Sequence, residues 1–114
     1  MTFDLLPPGW TKAFVPQMID HLVKVLGLYA DDFVILEAKE KYGALRVYWT
    51  WKIKDYTDEE LEDMKELQRD IDNIITCYEH MSEHTCALCG SKTDHFSKKY
   101  EMPMCETCMK KILE

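Results

Sequence analysis

"CALCGSKTDHFSKKYEMPMCETC", residues 86–108, holds four of the chain's five cysteines in two Cys-x-x-Cys pairs. The spacing is C-x2-C-x15-C-x2-C, formed by Cys86, Cys89, Cys105 and Cys108. A two-residue gap lets both sulfurs of a pair turn onto one ion. The fifteen residues between the pairs suffice for a short hairpin that brings them together. Four thiolates at about 2.3 Å in a tetrahedron is the donor set that structural zinc prefers. The expectation is one structural Zn2+ held by all four cysteines.

Local signals agree. Gly90 directly follows the second cysteine, where a tight knuckle needs it, and ETCMKKILE can begin a helix at the second pair. Knuckle, hairpin and helix in that order resemble a treble-clef or zinc-ribbon finger. The other uses of such thiols fit less well. A thioredoxin-like centre expects a single Cys-x-x-Cys in a βαβ unit. Catalytic zinc keeps an open position, which four cysteines close. Asp94-His95, between the pairs, is reminiscent of the catalytic pair of HNH nucleases with a four-cysteine zinc site. The inter-pair segment is short for such a site, however, and the chain's one asparagine, Asn73, lies elsewhere.

Outward from the finger, 114 residues with 46% apolar and 31% charged content describe a soluble globular chain. MTFDLLPPGW has neither the basic nor the apolar region of a secretory signal, and no run reaches membrane-spanning length. A cytoplasmic setting with reduced thiols is expected, which weighs against a disulfide framework. The net charge of −7 is uneven: residues 1–57 sum to 0, 58–84 to −8 and 85–114 to +1. The overall field therefore gives no help in binding a nucleic-acid backbone.

LPPGW, residues 6–10, reads as a turn, and a helix is expected over roughly residues 11–26 with Gly27 as its C-terminal cap. FVILEAKEKYGALRVYWTWKIKD, residues 33–55, reads as a β-hairpin. Leu45, Val47, Trp49, Trp51 and Ile53 would face the core, with Arg46, Tyr48, Thr50 and Lys52 opposite. TDEE at 57–60 is a capping-box pattern opening a long helix, with Leu61, Met64, Leu67, Ile71, Ile74, Ile75, Tyr78 and Met81 at helical spacing. The expected architecture is α+β: residues 1–84 carry helix, hairpin and long acidic helix, and residues 85–114 a four-cysteine finger docked on them.

Cys77 reads as a small core residue of the long helix, and His21 and His84 as lone structural or surface histidines. Met102, Met104 and Met109 are expected to seal the finger against the rest. The acidic residues Glu59, Glu62, Asp63, Glu66 and Asp70 form either a solvated face or a docking surface for a basic partner. Lys39, Lys41, Arg46, Lys52 and Lys54 make a basic strip with Tyr42, Tyr48 and Trp51 nearby.

The blocks AKEKYGALRVYW (38–49), TCALCG and MCETC together resemble a family of small uncharacterised phage and bacterial proteins. These join a KEKFGGLRFY-like hairpin to a C-terminal four-ligand finger, often with a Gly-Trp near the N-terminus, here Gly9-Trp10. Ala44 replaces a common second glycine, and Cys108 stands where a histidine can serve as last ligand. The resemblance implies a phage or mobile-element setting and no particular chemistry. No catalytic constellation emerges, so the expectation is a non-enzymatic protein-binding module. It would modulate or inhibit a host protein or complex, for example a defence system, in the host cytoplasm. Its contacts would be Glu59, Glu62, Asp63, Glu66, Asp70, Arg46 and Tyr48, and the hairpin face would also suit a homodimer. The alternatives are a nucleic-acid-binding regulator using Lys92, Lys98, Lys99, Lys110 and Lys111, and, more remotely, an HNH-like nuclease acting through His95.

Overall fold

Pro8 and Pro16 decide how the N-terminal region is divided. In the computed structural model, which describes residues 5–113, each proline sits in the first turn of its own helix, α1 (Pro8–Ala13) and α2 (Val15–Leu26). A proline there loses no hydrogen bond, because first-turn amides have no helical partner. The expected single helix over 11–26 is therefore corrected. Such a helix would place the Pro16 ring against the carbonyl of Lys12 and leave that carbonyl without its amide. The chain breaks at Phe14 instead (φ −145°, ψ −13°). LPPGW is correspondingly the entry to α1 and not a free-standing turn. At the end of α2, Gly27 takes φ +54°, as a cap requires, but ψ −119° leads into a 3-10 turn, Gly27–Asp32.

The hairpin follows as β1 (Phe33–Lys41) and β2 (Ala44–Trp51), antiparallel, joined through Tyr42 and Gly43. Both turn residues have positive φ, +55° and +85°, as a two-residue primed turn demands. A bulge between Ile35 and Glu37 shifts the alternation by one residue. Phe33 and Ile35 thereby share the core face with Ala38. On β2, Leu45 and Val47 are buried and Trp49 and Trp51 half-buried, as expected. Ile53 corrects the pattern: the strand ends at Trp51, and Ile53 is fully exposed.

Helix α3 (Asp58–Ser82) opens with the anticipated capping box. The Thr57 hydroxyl accepts from the Glu60 amide at 3.1 Å, and Glu60 accepts from the Thr57 amide at 2.9 Å. Met64, Ile71, Ile75 and Tyr78 line its buried stripe, with Leu67 and Ile74 at the border. Leu61 and Met81 lie outside it, each 45% exposed. α3 also covers the outer edge of β2: Ser82 Oγ accepts from the Leu45 amide at 2.8 Å, and Glu79 Oε2 from the Val47 amide at 3.1 Å. One core joins α1, α2, the hairpin and α3, centred on Trp10, Phe14, Met18, Leu22, Leu45 and Ile71.

Beyond α3 the chain forms two short strands, β3 (Phe96–Ser97) and β4 (Met102–Pro103), then α4 (Glu106–Leu113). The architecture is α+β, with the four cysteines clustered at the C-terminal end. The molecule is elongated, 59 × 20 × 19 Å. Its radius of gyration of 16.4 Å exceeds the about 13 Å of a compact chain of this length.

Candidate metal centre and acidic helix face

The cysteine cluster is built by two turns that each present a pair of sulfurs. In the first, the Gly90 amide donates to the Cys86 carbonyl at 3.0 Å and the Cys86 amide to the Ser91 carbonyl at 2.7 Å. This closes a knuckle in which Gly90 takes φ +83°. In the second, Cys105 immediately precedes α4 and Cys108 lies in its first turn, with the Met109 amide donating to the Cys105 carbonyl at 3.0 Å. The β3–β4 hairpin bridges the pairs, and the Ala87 amide bonds the Pro103 carbonyl at 2.9 Å.

The result is four Sγ atoms all within 4.8 Å of one another. Cys89 and Cys105 stand 3.7 Å apart. A tetrahedron of sulfurs about 2.3 Å from a central ion has edges of about 3.8 Å, so the donor set fits a single metal ion. Cys86 and Cys108 are buried, and Cys89 and Cys105 lie nearer solvent. The thiols are electrostatically unequal. Hydrogen bonds from Ser91, through its hydroxyl and backbone, hold Cys89 down to about 6. The Cys108 backbone amide lowers Cys105. Burial pushes Cys108 up to about 12.

The finger meets the rest of the molecule at two glycines that permit close approach. A side chain on Gly9 would run into the Cys86 carbonyl oxygen and come within 2.7 Å of the Gly90 nitrogen. The Gly9 amide donates to the Ala87 carbonyl at 2.7 Å, and the indole N–H of fully buried Trp10 to the Thr85 carbonyl at 3.0 Å. Gly43, at the tip of the β1–β2 hairpin, lies against the Phe96 ring, where a Cβ would stand 2.6 Å from Cε2. The methionines divide their expected task. Met102 lies at the seam with Leu6, Pro7 and Ala87, whereas Met104 and Met109 line a hollow inside the finger with Tyr100 and Ile112.

Other site expectations are redistributed. Cys77 is exposed, not core, because it lies 200° round the helix from Ile75. With His80, Met81, His84 and Lys92 it lines a shallow pocket of about 430 Å3. His84 is not partnerless: its Nδ1 lies 3.1 Å from Asp94 Oδ1. His95 Nε2 lies 2.9 Å from Glu106 Oε1, so Asp94 and His95 turn to different partners.

On α3, Glu59, Asp63, Glu66 and Asp70 follow one another at four-, three- and four-residue steps and share one face, with Glu62 bordering Glu66. Only Asp58, Glu59 and Glu60 lie in the first turn, where the helix dipole favours negative charge. Each like-charged step costs about 0.2–0.5 kcal/mol of helix stability. Asp63 Oδ2 accepts from the Tyr29 hydroxyl at 2.9 Å. Among the described residues no lysine or arginine pairs with this stripe. Trp49 Nε1 donates to Asp72 on another face, at 3.0 Å. On the hairpin's outer face Tyr48 is exposed with Lys39 Nζ 5.5 Å from its ring, and Arg46 is half-buried, donating to the Leu45 carbonyl.

The residues that sequence reasoning missed are Leu28 and Tyr29, which border this stripe beside Leu26. They come from the 3-10 turn after α2, where no periodic pattern announces their neighbours. No helix is long and apolar enough to cross a membrane among the described residues. Comparison of the chain with protein-family models, curated proteins and solved structures finds no match. The four-cysteine geometry itself therefore carries the assignment: a closed, all-sulfur centre suited to a structural metal ion.

Proposed function

We propose that the chain is a zinc-stabilised protein-binding module of phage or mobile-element type that modulates or inhibits a host macromolecule. Zinc is favoured over iron because the knuckle, hairpin and helix follow the order of a structural zinc finger; the tetrahedral sulfur set suits either ion. The acidic face of α3 and the Arg46/Tyr48 face of the hairpin are the contacts. The observation that carries this reading is the α3 stripe of Glu59, Asp63, Glu66 and Asp70. It repels itself, lies mostly beyond the helix dipole's reach and lacks a described internal cation. A basic partner would relieve that repulsion. The role is non-catalytic, a reading supported by the separate pairings of Asp94 and His95.

Affinity capture from host lysate, with and without nuclease, tests the proposal. A stoichiometric protein partner should survive nuclease and be lost when Glu62, Asp63 and Glu66 are reversed to lysine, with the helical circular-dichroism signal retained. Unchanged capture by that variant would rule out the acidic face. A second reading, nucleic-acid binding by the finger, rests on Lys98 and Lys99 beside the Tyr100 hollow. It predicts capture that disappears with nuclease and weakens steeply with salt.

A further inference from the structure

We propose that the groove between the 3-10 turn and α3 docks a basic protein segment carrying an aliphatic anchor, an arginine- or lysine-rich stretch interrupted by a leucine-like side chain. This rests on the binding-module reading above and names the chemistry of its partner.

The groove has a volume of about 320 Å3. Leu28 and Leu67, over the buried Leu26, supply its apolar surface, Tyr29 adds to the lining, and the exposed Asp63, Glu66 and Asp70 form the rim. Leu28 is 97% exposed, so the fold itself takes nothing from it. The Tyr29 hydroxyl fixes Asp63 at the rim and engages only one of its oxygens. Desolvation and Asp63 itself raise the Tyr29 pKa, which keeps this hydroxyl a donor.

Each simpler occupant leaves one half of the site unsatisfied. A purely apolar segment would desolvate three carboxylates without compensation. A purely cationic one would leave Leu28 in water. A nucleic-acid backbone is repelled by the rim, and a second copy brings the same negative face. A segment with both features seats its aliphatic group on the leucines. Its guanidinium or ammonium groups then reach carboxylates spaced one turn apart, the charge-assisted geometry that is strongest for arginine.

The probes are two fluorescein-labelled peptides of equal charge, Arg-Arg-Leu-Arg-Arg-Leu and Arg-Arg-Gly-Arg-Arg-Gly. Their binding is read by anisotropy on the zinc-loaded full chain at physiological ionic strength. The leucine peptide should bind at least about tenfold tighter, a difference of about 1.4 kcal/mol. Leu28→Ser should abolish that preference. Asp70→Lys should weaken both peptides, while Asp94→Lys, the same charge change in the finger beside His84, should leave both unchanged. Equal affinity for the two peptides, or equal losses for Asp70→Lys and Asp94→Lys, would reduce the groove to general charge attraction and overturn the proposal. A concentration-dependent dimer abolished by Leu28→Ser would also overturn it, giving the groove to a second copy. If the peptides fail while lysate capture survives and depends on Arg46 and Tyr48, the groove proposal falls alone. Capture indifferent to both faces would sink the broader reading.

Discussion

At Gly9 the requirement for glycine comes from space, because its φ is not in the left-handed region and α1 continues through it. A methyl group there would overlap the backbone carbonyl of Cys86, itself a candidate metal ligand. Gly9→Ala should therefore force the knuckle away from α1, disturbing the Trp10–Thr85 hydrogen bond and loosening Cys86 and Cys89 together. The expected result is faster metal loss to a chelator and a lower melting temperature, with α3's helical signal intact. Unchanged chelator kinetics would show that the close approach has no bearing on the centre.

At the scale of elements, the two-stranded sheet depends on α3 for more than a covering face. An edge strand exposes unpaired amides, and β2 directs those of Leu45 and Val47 at Ser82 and Glu79. Ser82 is fully buried and also donates to the Glu79 carbonyl. Ser82→Ala should strand the Leu45 amide in an apolar setting at a cost of about 1–3 kcal/mol. Chemical denaturation would read this as a shifted midpoint with one metal still bound per chain; a midpoint equal to wild type would show that the bond is dispensable. The sequence made the long helix legible, since its cap is Thr57-x-x-Glu60 and its apolar residues recur at helical steps. It made the cysteine cluster legible too, because ligand spacing is a local property. Neither Ser82 nor Glu79 advertised its partner, because a side chain that caps a strand 37 or 32 residues earlier leaves no periodic trace. Cys77 was misplaced for a related reason. Its neighbours Ile74, Ile75 and Tyr78 are all at least half-buried, yet one 100° step moves a helical residue out of the stripe. The bulge at Leu36 and the break at Phe14 were likewise hidden, as both depend on what packs opposite.

The whole molecule is a rod whose ends carry different chemistry. α3, with 25 residues at about 1.5 Å each, is a strut about 37 Å long running from the acidic capping box toward the cysteine knuckle. The finger buries little of its apolar surface: Met104 and Pro103 are buried beside Cys86, Ala87 and Cys108, while Leu88, Phe96, Tyr100 and Ile112 stay exposed. Such a segment draws its folding energy largely from the ion, which in comparable modules contributes on the order of 10 kcal/mol. The body has its own core and keeps the acidic groove away from the metal. On the proposed reading, stability and recognition reside at separate ends, and a partner on α3 would leave the sulfurs undisturbed. The direct test is native mass spectrometry of the chain purified without added metal, alongside the Cys86→Ser/Cys108→Ser variant. The account predicts one zinc per wild-type chain, none in the variant, and four thiols protected from alkylation until the ion is removed. A folded wild-type chain with no bound metal and four freely reactive cysteines would contradict it.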